Sequence, residues 1–320
     1  ESRAAAALIR QDNQEEYRGW YRTLTEGHFL FDVIDSSRIV DLDLTKYNTL
    51  ILPDVRYLSD EQAAKIDSFA ESGGTVLCSG KTGFCFRHYE PRSFPVLKCL
   101  GIETFLLSQD ARSANFRIDC PELLPMAPIS ENVAMDGEYI YCEYVHGTQK
   151  YCKYVPPQFF GPPEICYPLY RSEYPAFTDF TFGKGRGVYL PWYPGRFLYK
   201  QGYQNTWDFL TSVLAYTIFG GRIYGGLSPM VEATLHHEKG TSYDLLQLVN
   251  ASGHFGVSFF EAPILGETSF RVPFSKEPER ITELAGNTDF SYSYDPQAKE
   301  IEFRLRRLGA FAAFRMETAD

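Results

Sequence analysis

Four things are missing from this chain, and each absence narrows its class. No apolar run approaches the ~20 residues that a membrane-crossing helix needs. No basic excess exists: the net charge is −10, which argues against a nucleic-acid partner and against an anionic membrane surface. The N-terminus lacks the basic-then-apolar form of a signal peptide. There is also no CxxC pair among the seven cysteines, Cys78, Cys85, Cys99, Cys120, Cys142, Cys152 and Cys166. Their odd number and irregular spacing speak against a disulfide framework and against a zinc knuckle. The expectation is a reduced, cytoplasmic protein with no cofactor and no metal. One pair, Cys142 and Cys152, is placed to face across a hairpin. The chain opens on Glu1 rather than methionine, which implies a processed or excised piece.

What is present is apolar and aromatic. The 320 residues are 44% hydrophobic with a mean hydropathy of −0.27, enough for two or three domains with real cores. Aromatic content reaches 16% and bunches between Tyr139 and Trp207. Such a bunch means core or subunit interface first, and a sugar-stacking platform second.

Residues 1–110 alternate strand and helix. "AAALIR", "HFLFDVID", "YNTLILPD" and "TVLCS" read as strands. The third is a continuous apolar run, as buried parallel strands require. Between them, "NQEEYRGWYRTLTEG" reads as a helix with Tyr17, Trp20, Tyr21 and Leu24 on one face, Asn13 as its cap and Gly27 at its close. "SDEQAAKIDSFAESGG" carries a capping box, Ser59 answered by Gln62, and stops at Gly73-Gly74. Alternation of this kind predicts βαβ units in a doubly wound sheet. Residues 111–176 carry prolines, aromatics and short alternating runs, a β-rich insertion. Residues 177–221 complete the α/β domain with a strand in "GKGRGVYLPW" and a helix in "NTWDFLTSVLAYTIFGG". Its buried face holds Trp207, Leu210, Leu214 and Ile218. From 222 to 320 the pattern is all strand, including "GVSFF", and predicts a small β-sandwich.

The chemistry carried by these residues is sparse. "SGKT" at 79–82 has the letters of a phosphate-binding loop. The required upstream glycine is Thr75, however, and the residues between form a strand. "VLCSG" resembles the nucleophile elbow of class I glutamine amidotransferases, with Cys78 as the thiol and Gly80 as the second glycine. Val76 stands where the first glycine would. A thiol also needs a base. "HHE", His236 to Glu238, has the letters of one, but strand alternation turns His236 and His237 to opposite faces. His88, His146 and His254 read as surface residues. Asp32, Asp35, Asp41 and Asp43 form an acidic patch that reads as a solvated loop. No two carboxylates stand out as a glycosidase pair, and about five βα units are too few for an eight-fold barrel.

Residues 43–80, "DLTKYNTLILPDVRYLSDEQAAKIDSFAESGGTVLCSG", resemble the amidotransferase-like trimerisation domain of family 42 β-galactosidases and of related glycoside hydrolases. Pro53, Leu58 to Glu61 and Gly73-Gly74 carry the likeness. "FGKGRGVYLPWYPGRFLYKQGYQNTWDFLTSVL" and "LLQLVNASGHFGVSFFEAPI" extend it, through Gly183, Gly185, Tyr189, Pro191, Trp192, Gly195, Arg196, Gly202, Leu248, Asn250 and Ser252. The resemblance implies a flavodoxin-like, amidotransferase-like α/β domain that has lost its thiol chemistry and serves assembly, as a trimer. It also implies a catalytic (β/α)8 domain upstream of Glu1. Catalytic residues would then be absent from this chain, with Cys78 the alternative nucleophile. Trp192, Tyr193, Arg196 and Tyr199 become candidates for an interface or for carbohydrate contact.

Overall fold

Four short apolar runs fix the main sheet, because strands buried on both faces need side chains that are apolar in both directions. The computed structural model describes residues 3–11, 14–86, 90–92, 94–124, 131–157, 161–162, 172–286 and 288–318. Asn13, His88 and Cys166 lie outside the described residues. Within them the chain forms two compact units. One comprises Ala6–Thr23 and Val33–Phe219; the other comprises Glu1–Ala5, Leu24–Asp32 and Gly220–Asp320.

The larger unit is built on a nine-stranded sheet. Its strands are β1 (Ala6–Arg10), β2 (Phe31–Asp35), β3 (Thr49–Pro53), β4 (Thr75–Ser79), β6 (Ala114–Arg117), β7 (Asn132–Met135), β9 (Gln149–Val155), β10 (Pro175–Phe182) and β11 (Gly185–Leu190). The order is β2-β1-β3-β4-β11-β10-β9-β6-β7. β1, β3, β4 and β11 pair in parallel. From β11 onward every pairing is antiparallel. The mixed sheet thus joins the α/β part to the stretch read as an insertion, whose strands extend it. β5 (Ile102–Asp110) and β8 (Glu138–Tyr144) form a separate two-stranded ribbon.

Among the described residues four α-helices attend this unit: α1 (Gln14–Glu26), α2 (Asp60–Glu71), α3 (Pro194–Gln201) and α4 (Gln204–Thr217). The capping box of α2 is present as read: the Gln62 N–H donates to Ser59 Oγ at 3.1 Å, and the Ser59 N–H donates to Gln62 Oε1 at 2.8 Å. On α1, Trp20 and Leu24 are buried, but Tyr21 is 41% exposed. The apolar stripe is therefore narrower than the spacing implied. β3 and β4 are buried along their whole length, and each fully buried aliphatic side chain there contributes about 1.5–3 kcal/mol. Helix α3 escapes the sequence reading altogether, for a reason that appears with the site.

The smaller unit holds two four-stranded antiparallel sheets, in line with the all-β expectation. One contains β12 (Tyr224–Gly225), β17 (Thr268–Pro273), β19 (Phe290–Asp295) and β20 (Glu300–Leu305). The other contains β13 (Val231–His237), β14 (Tyr243–Asn250), β18 (Arg280–Glu283) and β21 (Phe311–Glu317). Their inner faces share one core, in which Phe303 and Phe314 meet with ring centroids 5.2 Å apart. "GVSFF" is not a sandwich strand. It contributes two residues to a separate hairpin of β15 (His254–Phe255) and β16 (Ser258–Phe259), because its apolar side chains point to solvent. No helix among the described residues is long and apolar enough to cross a membrane.

Candidate functional site

In sheets with parallel strands, ligands bind outside the carboxyl ends of the strands, so that edge is where chemistry would gather. Asp54 follows β3, Gly80 to Thr82 follow β4, and Trp192 and Tyr193 follow β11. Asp54 adopts a left-handed backbone, φ 50°, which aspartate tolerates better than most residues. The turn aims its buried carboxylate at two donors: the Lys81 N–H at 2.8 Å and Arg56 Nε at 2.9 Å. Lys81 Nζ in turn donates to Glu138 Oε1 at 2.7 Å. Burial works to raise the Glu138 carboxyl, but the bonds from Lys81 and Ser108 outweigh it and hold the pKa below the usual range. Burial opposes the Arg56 charge too, and Asp54 more than restores it.

Gly80 sits at the centre of this edge with φ 62°. A Cβ there would lie 2.6 Å from the Tyr193 ring and 2.8 Å from Asp54 Oδ1, so the turn admits no side chain. Successive backbone N–H groups at this turn are used internally. Gly80 N–H donates to the Leu190 and Trp192 carbonyls, Lys81 N–H to Asp54, and Gly83 N–H to the Val55 carbonyl. Thr82 Oγ1 donates to the Leu52 and Ser79 carbonyls and accepts from the Val55 N–H. The Gly80, Lys81 and Gly83 N–H groups are thus turned to the protein rather than to a phosphate.

Glu16 is the residue that sequence reading missed most clearly. It lies on α1, wholly buried, and its two oxygens accept three bonds. Oε1 takes Trp20 Nε1 at 2.8 Å and Ser79 Oγ at 2.6 Å; Oε2 takes the Arg196 N–H at 2.7 Å. Burial dominates and lifts its pKa to about 7, against the pull of Ser79, Arg196 and Trp20. The Arg196 bond explains α3. That helix begins with Pro194, and its N-cap Tyr193 makes no side-chain cap bond. The acceptor comes instead from Glu16 on another helix.

The sequence-predicted residues fall elsewhere. Cys78 lies inside β4 rather than on a turn, fully buried. Burial, with Asp67 adding to it, pushes the thiol well above its usual range. Among the described residues no hydrogen bond joins it to an imidazole. His236 and His237 belong to the other unit, opposite Leu245 and Asp244 on β14. His146 is exposed, and His254 stacks on Phe259. Native protein treated with iodoacetamide at pH 6 should leave Cys78 unlabelled in an intact-mass and peptide map until denaturant is added. Rapid labelling of Cys78 would restore a thiol enzyme.

Trp192 and Tyr193 require correction as sugar or interface contacts. Both are buried, at 0% and 1% exposure. Trp192 Nε1 donates to the Ala176 carbonyl at 3.0 Å, and its ring packs on Phe116 with centroids 4.8 Å apart. They are core. Arg196 lays its guanidinium over the Tyr193 ring, 4.5 Å from the centroid. Tyr199 is 41% exposed and accepts a hydrogen bond from Arg18. The acidic patch dissolves into turn caps: Asp35 accepts from Ser37 and Asp43 from Thr45. The Cys142–Cys152 pairing fails as well. β8 pairs with β5 while β9 pairs with β10 and β6, so the two cysteines sit in different sheets.

What remains is an edge of compensated charges, tied backbone donors and one buried acid. Residues 2–92 match the β-galactosidase trimerisation domain. No curated protein sequence matches the chain. Among solved structures, the fold is similar to that of α-L-fucosidase isoenzyme 2 from Paenibacillus thiaminolyticus. That protein is 20% identical with a TM-score of 0.78, over 99% of this chain and 49% of that one. The β-galactosidase of Bacillus circulans sp. alkalophilus is 14% identical with a TM-score of 0.65, over 98% and 42%. The cold-adapted β-galactosidase of Rahnella sp. R3 is 15% identical with a TM-score of 0.63, over 98% and 41%. At such identities the likeness is one of fold. The chain spans half or less of the length of each of these proteins.

Proposed function

We propose that this chain is a non-catalytic assembly region of a glycoside hydrolase, the C-terminal part of an enzyme resembling the family 42 β-galactosidases. Its α/β portion is a flavodoxin-like domain, which the order β2-β1-β3-β4-β11 supports, and it works as a homotrimer alongside a separate catalytic (β/α)8 domain. The observation that carries this reading is the match of residues 2–92 to a trimerisation domain, set against a strand edge whose charged groups pair with one another. Cys78, sealed in β4, takes no part.

An exposed apolar hairpin adds contact area for assembly. Phe255 is 81% exposed, Val257 96% and Phe259 82%, with Phe260 and Ile264 beside them. Clusters of this kind on a folded surface mark interaction sites. Size-exclusion chromatography with light scattering should return three times the 36.5 kDa chain mass. A strictly monomeric elution at high concentration would overturn the proposal.

A further inference from the structure

Two cysteines far apart in sequence meet near the far side of the nine-stranded sheet. Cys120 follows β6 and Cys152 lies in β9, the strand paired with β6. Their sulfurs are 3.7 Å apart, and both side chains are buried. Asp119 completes the group: one donor atom from each of the three residues lies within 4.8 Å of the others. No other such trio of histidine, cysteine or acidic residues occurs among the described residues.

We propose that Asp119, Cys120 and Cys152 form a binding site for a divalent cation that favours sulfur, of the zinc class. The sulfur spacing is the first argument. Two thiolates bound to one tetrahedral ion at ~2.3 Å stand roughly 3.8 Å apart, close to the observed separation. A disulfide would require the sulfurs to close to ~2.05 Å. The second argument is orientation. Asp119 Oδ1 accepts the Cys152 N–H at 2.9 Å, which fixes the carboxylate beside the thiols and leaves its other oxygen for a ligand bond. Cys152 holds φ 59°, a left-handed conformation in mid-strand that only a determined local structure retains. The third is access. Asp119 is exposed while the sulfurs are buried, so an ion has an entry side, and water can fill the fourth position.

Bound there, the ion would fasten the segment after β6 to β9, joining two neighbouring strands through side chains as well as through the ladder. Binding releases the thiol protons to solvent, since the ligands are thiolates. Oxidation state does not change and no co-reactant is needed.

The test uses the 320-residue chain, reduced and freed of metal, titrated with Co²⁺ and then with Zn²⁺. One Co²⁺ per chain should produce a thiolate-to-cobalt charge-transfer band in the near ultraviolet, which Zn²⁺ abolishes by displacement. Cys120→Ser and Cys152→Ser should each lose the band, and Cys78→Ser should keep it. Should the two serine variants fail to fold, Asp119→Asn at the exposed ligand decides instead, with an expected loss of ~10-fold or more in Zn²⁺ affinity. Absence of the band in reduced protein, its survival in the cysteine variants, or unchanged affinity in Asp119→Asn overturns the proposal. Recovery of the pair as a disulfide that takes up no Zn²⁺ after reduction overturns it equally. Oligomeric state plays no part in the readout, so this result stands apart from the assembly reading.

Discussion

Gly19→Ala should unfold the larger unit more readily than any conservative surface change, with an expected loss of about 3 kcal/mol or more. Helices α1 and α3 touch backbone to backbone. A Cβ at Gly19 would lie 1.9 Å from the Gly195 carbonyl oxygen, and one at Gly195 would lie 2.3 Å from the Glu16 carbonyl oxygen. These are main-chain atoms, so no rotamer change relieves the overlap and one helix must move. Movement pulls the Arg196 N–H away from Glu16, and the buried carboxyl then loses a donor it cannot replace with water. Urea unfolding of the variant, followed by far-ultraviolet circular dichroism, reads the effect as a lower midpoint. Gly309 supplies the control: a Cβ there meets nothing within 4 Å, so Gly309→Ala should change stability by no more than ~0.5 kcal/mol. Equal effects at the two positions would contradict the close helix contact.

Glu16 should give the protein an unusual pH dependence. Its folded pKa, about 7, lies above the ordinary glutamate value of 4.5. The folded state therefore holds the proton more tightly than the unfolded chain. The stabilisation is complete below pH 4.5 and disappears as pH rises through 7. The displacement corresponds to about 3 kcal/mol. Glu16→Gln cannot titrate, so the difference in unfolding free energy between wild type and variant should change by about that amount across this window. Above it the difference should level off. A difference that stays flat from pH 4.5 to 7.5 would show that the carboxyl is ionised throughout. Asp54 is the charged neighbour that adds to the upward shift, so Asp54→Asn should narrow the window slightly without removing it.

How much could be read from the chain alone follows from where each determinant lies. The capping box at Ser59 and Gln62 is local, four residues long, and was legible. So were β3, whose apolar run fits a strand covered on both faces, and β4 as the strand after Gly73-Gly74. Helix α3 was not legible, because its acceptor Glu16 stands 180 residues upstream and its own first turn offers only proline, glycine and arginine. Trp192 and Tyr193 were misplaced because aromatic density marks a core and an interface equally; burial separates them and spacing does not. Cys142 was paired with Cys152 because a tight turn joins their strands. The turn is present, at Val145 to Thr148, but its two arms leave for different sheets. The meeting of Cys120 with Cys152 depends on β6 pairing with β9, which no short-range signal announces. The charge pairs at the strand edge are hidden for the same reason: Lys81 and Glu138 are 57 residues apart.

The smaller unit is assembled from three stretches of chain, and that has a consequence for anyone wishing to isolate it. A fragment beginning at Gly220 would leave Asp244 without the two-pronged grip of Arg3. It would remove Leu30 from the apolar centre, and His28 from the Ser228 and Val231 carbonyls it reaches. During synthesis, Arg3 and His28 must wait until the stretch from Ser228 to Asp244 has been made before these bonds can close. Native order here is a clasp, closed by partners that stand 200 to 241 residues apart along the chain.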